Sequence, residues 1–297
     1  MNSAGRDRAT GKARLRWALG LTVGMLVVET AGGYWSGSLA LFADAAHMFT
    51  DVGALLLAYA AMTLAERAAS KEYTFGLYRA EILAAFVNAQ LLLVVCGLLL
   101  FQSYVRFREP AEVETGLMGA VAFLGLLANV AAVFLLHGHR RASLNVRAAY
   151  LEVLTDTASS FAVLAGAVAI GWTGIHWIDP LLSACIATAI LPRAFSILRQ
   201  AGHVLLEGTP RDVNLARLRD ELLSIPGVDD LHDLHLWTLT SGFHSASVHV
   251  LASPGSEPEK VLRDVRRVLE EQTGVEHATV QVEQPGDETC RATARHR

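Results

Sequence analysis

Four side chains able to bind a metal ion stand in two i,i+4 couples within apolar stretches, His47 with Asp51 and Glu152 with Asp156. Residues four apart share one face of a helix, so each couple aims two such groups at a single spot. Ionisable groups are costly in hydrocarbon, and where they persist they mark a functional site. Two couples on separate helices therefore point to one cation held between them. Hydrogen bonding between helices is the competing account. The acids weigh against it: three carboxylates and one imidazole need a cation, and neither Lys nor Arg lies between Asp44 and Asp51 or between Glu152 and Asp156. An imidazole among carboxylates fits a borderline divalent metal such as Zn2+, leaves Mn2+, Fe2+, Co2+ and Cd2+ open, and disfavours the oxygen-seeking Mg2+ and Ca2+. Asp44, one turn before His47, is placed to orient the imidazole or to serve a proton path.

These residues need helices that span a bilayer. Apolar stretches lie roughly at 15–36, 39–65, 80–105, 116–137, 147–171 and 177–199, each near the length a spanning helix requires. Hydrophobic residues make up 52% of the 297 and charged residues 18%, with a mean hydropathy of +0.35, which is the composition of a membrane protein. A net charge of −4 gives no basic surface for nucleic acid. The first stretch follows the basic start MNSAGRDRATGKARLRW but is long and lacks an A-x-A-like cleavage site, so it is expected to stay as a span. Lys and Arg concentrate in the amino-terminal tail, the second-to-third loop and the fourth-to-fifth loop, which predicts cytoplasmic termini. Composition and the lack of sorting motifs suggest a multi-pass protein of a bacterial inner membrane. Cys96, Cys185 and Cys290 are scattered, so neither a disulfide framework nor a cysteine zinc site is expected. Glu29, Asn88, Gln90 and Asn129 are expected to hydrogen-bond between helices.

After about residue 205 the charge frequency becomes that of a soluble domain. Residues 212–224 carry a helical apolar stripe ended by Pro226-Gly227, LHLWTLT and ASVHVLA flank a Ser241-Gly242 turn, 257–272 form a second amphipathic helix with Gly274 as its cap, and ATVQVE is a last strand. Helix, strand, strand, helix, strand suits a small α+β sandwich with both helices on one face of the sheet.

Taken in order, GSLALFADAAHMFTD, TFGLYRAEILAAFVNA, NVRAAYLEVLTD, DPLLS, LLEGTP, LHDLHLW and HATVQVE resemble the zinc exporters of the cation diffusion facilitator family, over nearly the whole chain. The resemblance implies an α-helical membrane protein: six transmembrane helices followed by a cytoplasmic α+β ferredoxin-like domain. The corresponding segments are a tail at 1–14, a transport domain at 15–204, a metal-sensing and dimerisation domain at 205–284, and a tail at 285–297. It further implies a homodimer that exports Zn2+, or Cd2+ or Co2+, in exchange for protons, with no catalysis and no cofactor other than a regulatory Zn2+. Carried over by position, the transport site is His47, Asp51, Glu152 and Asp156. Zinc members usually have histidine where this chain has Glu152, so the site is more anionic and its metal preference is open. A cytoplasmic metal site maps onto His232, His249 and Glu283, with His235 as an added ligand and His244 placed to reach across a dimer. In KEYTFGLYRAE the histidines that some members carry are missing, and no metal is expected there. Two alternatives remain at this point. An intramembrane metallo-enzyme would need a separate general base, for which there is no HExxH, and a membrane metal sensor would bind without flux.

Overall fold

The computed structural model describes residues 20, 22–64, 70–137 and 144–284, apart from some helical side chains, those of Asp51 and Glu152 among them. The expected tails at 1–14 and 285–297, with Cys290, lie outside the described residues. The chain divides into two compact units, Met1–Glu66 with Ala84–Leu198, and Arg67–Leu83 with Arg199–Arg297.

The first unit is helical. Its elements are α1 (residues 22–36), α2 (Leu39–Leu64), α3 (Tyr78–Arg108), α4 (Thr115–His137), α5 (Leu144–Thr173) and α6 (Ile178–Leu205), the start of α3 and the end of α6 falling in the second unit. Four spans are long and apolar enough to cross a bilayer among the described residues, Tyr78–Arg108, Thr115–Phe134, Val153–Thr173 and Ile178–Leu205, with a shorter apolar run at Leu39–Thr50. Exposure is inverted relative to a water-soluble protein. Phe101, Phe134 and Phe161 are 61%, 76% and 61% exposed, whereas Glu29, Asp44 and Asp179 are 2%, 5% and 0% exposed. Apolar surface of that extent is stable against lipid tails, and acids are tolerated in such a bundle only where they face inward. The protein therefore spans the membrane several times.

Helix α2 has two packed faces. Ala40 and Leu41 join Met118, Val121 and Ala122 of α4 and Val163, Ala167 and Ile170 of α5. Ala43 and Ala46 join Leu92, Cys96 and Leu99 of α3 and Ala187, Ile190 and Ala194 of α6. Lipid gives helices no hydrophobic reason to associate, so close approach through small residues supplies the contact, and the alanines of LALFADAAHM allow it on both sides.

The second unit builds the expected order: α7 (Leu215–Leu223), β1 (Val228–Thr240), β2 (Phe243–Ala252), α8 (Pro258–Thr273) and β3 (His277–Glu283). Asn214 caps α7 by accepting from Arg217 N at 3.1 Å, and Gly274, at φ +63°, ends α8 in the left-handed conformation. The sheet order is β1-β2-β3, with β1 and β2 antiparallel and β3 parallel to β2. Parallel pairing requires a crossover, which α8 supplies. Alternation along β2 sends Ala246, Val248 and Val250 into a core with Leu218 and Leu222 of α7 and Val261, Val265 and Leu269 of α8. His249 and Ser247 consequently lie on the opposite face. Leu269 is fully buried, so Leu269→Ala is expected to cost about 2–5 kcal/mol. Amide exchange in β2 should then be at least about thirtyfold faster if the unit opens cooperatively.

The segment before α3 and the first turn of α3 also belong to this unit. Phe75 meets the His277 ring edge-on at 5.4 Å, Tyr78 lies 5.3 Å from Phe243, Thr240 Oγ1 donates to Glu81 Oε2 at 2.6 Å, and Arg79 pairs with Glu207 at 3.0 Å.

Candidate metal centres

Two of the four predicted transport ligands meet. His47 Nε2 of α2 lies 2.6 Å from Asp156 Oδ1 of α5, with side chains 13% and 19% exposed. Asp51 is one turn further along α2 and Glu152 one turn earlier on α5; their side chains lie outside the described residues. Asp44, one turn before His47, is bound by two serines of α5. It accepts from Ser159 Oγ at 2.6 Å and from Ser160 Oγ at 3.3 Å, and Asn129 of α4 donates to Ser160 Oγ at 3.2 Å. Two polar contacts about one turn apart thus hold α2 against α5: the imidazole–carboxylate pair and the serine-bound Asp44.

The expectation of interhelical hydrogen bonding holds for Asn129. Of Glu29, the oxygen Oε2 is buried without a hydrogen-bond partner among the described residues. A residue that sequence reasoning passed over is Asp179, which sits in the DPLLS motif and is fully buried. The available signal was an acid just inside an apolar span and immediately before a proline, a position suited to the start of a helix.

In the second unit, His232, His249 and Glu283 come together, each offering a ligand atom, all within 4.8 Å of one another. His232 is paired with His249 across β1 and β2. Glu283 ends β3 opposite Leu251, one outward position beyond His249. Its carboxylate receives His249 Nδ1 at 2.6 Å, His232 Nε2 at 3.2 Å and Gln281 Nε2 at 3.3 Å, and the two imidazole centroids are 5.0 Å apart. Two imidazoles and one carboxylate are the donor set of a three-ligand zinc site with a fourth position open. The residues present fit that ion.

His235 does not join this group. A bulge between His232 and His235, where Asp233 takes φ +49°, keeps both on the outer face but pairs His235 with Ser247. Ser247 lies two residues along β2 from His249, roughly 7 Å, on the side away from Glu283. His235 instead lines a cavity of about 1010 Å3 with Tyr73, Phe75, Tyr78, Arg79 and Trp237. His244, the candidate for a contact across a dimer, is 3.1 Å from Thr238 Oγ1 within its own hairpin.

Comparison with known proteins decides the family. The cation efflux transmembrane domain matches residues 15–206, and the cytoplasmic domain of cation efflux proteins matches residues 210–285. This chain belongs to the cation efflux family. Among curated relatives of this family, the metal cation efflux system protein CzcD of Cupriavidus metallidurans is 43% identical over 279 residues, covering 93% of this chain and 88% of that protein. The zinc transporter ZitB of Escherichia coli is 40% identical over 272 residues, covering 91% and 87%. A cadmium, cobalt and zinc/H(+)-K(+) antiporter of Bacillus subtilis is 34% identical over 268 residues, covering 89% and 86%. A solved structure of the metal-bound C-terminal domain of the Cupriavidus metallidurans CzcD transporter matches 24% of this chain and 99% of its own at 40% identity, with a TM-score of 0.23. As a cation efflux protein, the chain is a transporter of divalent metal ions, with the helical unit as its membrane domain and the α+β unit as its cytoplasmic domain.

Proposed function

We propose that this cation efflux protein exports Zn2+ from the cytoplasm of a bacterium across the inner membrane in exchange for protons. It acts as a homodimer with both termini cytoplasmic, and it transports without catalysing a reaction. The observation that carries the reading is the 2.6 Å contact between His47 Nε2 and Asp156 Oδ1 inside the apolar bundle. A nitrogen and an oxygen at that distance share a hydrogen, because two bare lone pairs would repel. A metal ion that takes both atoms as ligands must displace that hydrogen. Where the imidazole carries hydrogen on both nitrogens, loading of metal and loss of a proton are one event at one pair of atoms, the elementary requirement of exchange, whereas a neutral imidazole would only move its hydrogen to Nδ1. The named substrates of the relatives, zinc for ZitB and cadmium, cobalt and zinc for the antiporter, support zinc here.

Asp51 and Glu152 complete the ligand set in this reading, so one imidazole and three carboxylates hold the transported ion. A harder, oxygen-rich set discriminates less strongly between zinc and its neighbours. Glu152→His is expected to keep Zn2+ flux within about threefold while changing the Cd2+/Zn2+ flux ratio, measured by competition between the two ions. In the cytoplasmic domain, His232, His249 and Glu283 would hold a resident Zn2+ that ties β1, β2 and β3 together at their outer face and reports the cytoplasmic metal level. The experiment for the main reading is uptake of radiolabelled Zn2+ into proteoliposomes under an imposed pH gradient. Accumulation that a protonophore abolishes is expected; uptake that ignores the gradient would exclude exchange.

A further inference from the structure

The turn between α1 and α2 is stitched to α3, to the segment before α4, and to α6. Asp179, the second residue of α6, accepts from Ser38 Oγ at 2.5 Å and Ala40 N at 3.1 Å through Oδ1, and from Leu39 N at 2.8 Å through Oδ2. Ser38 Oγ in turn accepts from Leu41 N at 3.2 Å. These N–H groups open α2 and have no acceptor within their own helix. A carboxylate on one helix therefore caps another, with the sign that a helix N-terminus favours. Arg106 of α3 lies 3.7 Å from Asp179 Oδ2 and donates to the Gly37 carbonyl, while Glu114 N donates to the Ser36 carbonyl at 2.8 Å. The helices near this turn also pack without slack. A Cβ added at Gly32 of α1 would sit 2.7 Å from Val121 of α4, and one added at Gly166 of α5 would overlap Leu182 of α6.

We infer that Asp179 is a positioning residue of the transport cycle, pinning the start of α2 to α6 so that α2 pivots about this end when the metal site changes access. The inference rests on the transport reading. His47 lies eight residues beyond Leu39, about 12 Å along the helix. A tilt of about 10° around the clamp moves it by roughly 2 Å, a whole Zn–N bond length, while the clamped end stays in place. The pivot falls here because the clamp is harder to open than the metal pair. Separating α2 from α6 would leave a fully buried carboxylate without its three donors, whereas separating His47 from Asp156 parts two atoms that a metal ion or a proton can satisfy.

The test replaces the clamp with a covalent one. In a background with Cys96, Cys185 and Cys290 changed to alanine, the Ser38→Cys/Asp179→Cys pair is reconstituted, and Zn2+ flux is measured reduced, joined by a short bifunctional thiol reagent, and reduced again. Asp179→Ala and Asp179→Asn are measured beside it. Asp179→Ala is expected to lower maximal flux about tenfold or more while moving the half-saturating Zn2+ concentration by less than about threefold, with Asp179→Asn intermediate. Joining the cysteines is expected to restore flux to within about threefold of the cysteine-free parent. Flux lost on joining and regained on release would overturn the inference, because the two ends must then separate during transport. Maximal flux unchanged in Asp179→Ala would overturn it as well, whether or not the buried pair joins. A cysteine-free parent that binds Zn2+ but carries none would instead refute the transport reading, which distinguishes the two failures.

Discussion

Asp156→Ala is expected to reduce Zn2+ flux by roughly a hundredfold or more, while the protein still inserts and keeps its helices. The side chain lies 2.6 Å from His47 Nε2, so its removal takes away a proposed ligand and one partner of the imidazole that faces it. A change in a supporting contact behind a metal ligand already costs ten- to a hundredfold, and a ligand itself sets a higher floor. Stability should respond far less. Polar contacts between membrane helices contribute about 0.6 kcal/mol on average, and α2 and α5 keep both the Asp44 contact with Ser159 and Ser160 and the packing of Leu41 against Val163. Asp156→Asn serves as the control. It keeps an acceptor for the imidazole but carries no negative charge for the metal, and it should transport nearly as poorly as alanine. Proteoliposome flux read beside thermal stability in detergent checks the separation. Equal losses in both would mean that Asp156 acts as an interhelical tie and not as a ligand.

The second large effect is expected in the cytoplasmic domain. Glu283→Ala removes the carboxylate that receives both His249 and His232, and the two imidazoles, 5.0 Å apart, are then a two-ligand site. Affinity for Zn2+ at this position should fall by about a hundredfold or more, because two protein ligands do not close a tetrahedral zinc site. Glu283→Gln retains volume and one acceptor oxygen and should fall nearly as far. The measurement is Zn2+ stoichiometry by equilibrium dialysis, made in full-length Asp156→Ala protein so that the cytoplasmic site dominates. A stoichiometry unchanged by Glu283→Ala would exclude the site. The fold should tolerate the change: His232 and His249 are about one-third exposed, so water replaces the lost partner at a cost of about 1 kcal/mol.

These two centres were legible in the sequence to different degrees. The shared helix faces of the two i,i+4 couples could be read directly, because helical spacing fixes which residues share a face and a membrane leaves few reasons for acids to be present. The cytoplasmic group could not be found by spacing. His232, His249 and Glu283 come from three strands, and their meeting depends on the register of β1 against β2 and of the parallel β3 against β2. The resemblance to zinc exporters pointed to them. His235 shows the limit of such reading: the bulge after His232 brings it to the same face, yet opposite Ser247, one outward pair from His249 on the side away from Glu283, and bulges leave no firm mark in local sequence.

By itself, the sequence determined that this chain crosses a membrane repeatedly, that it ends in a helix–strand–strand–helix–strand domain, and that acids and an imidazole share helix faces within hydrocarbon. Those properties follow from periodicity, turn residues and the cost of buried charge, all of which act locally along the chain. The tertiary structure alone decided which helices meet: that Asp156 faces His47, that Asp44 is held by Ser159 and Ser160, and that Asp179 of α6 caps the first turn of α2. Hydropathy fixes that a helix lies in the bilayer but not its rotation or its neighbours. Those are set by small-residue packing and by satisfying buried polar groups between helices distant in sequence, which requires the whole bundle at once.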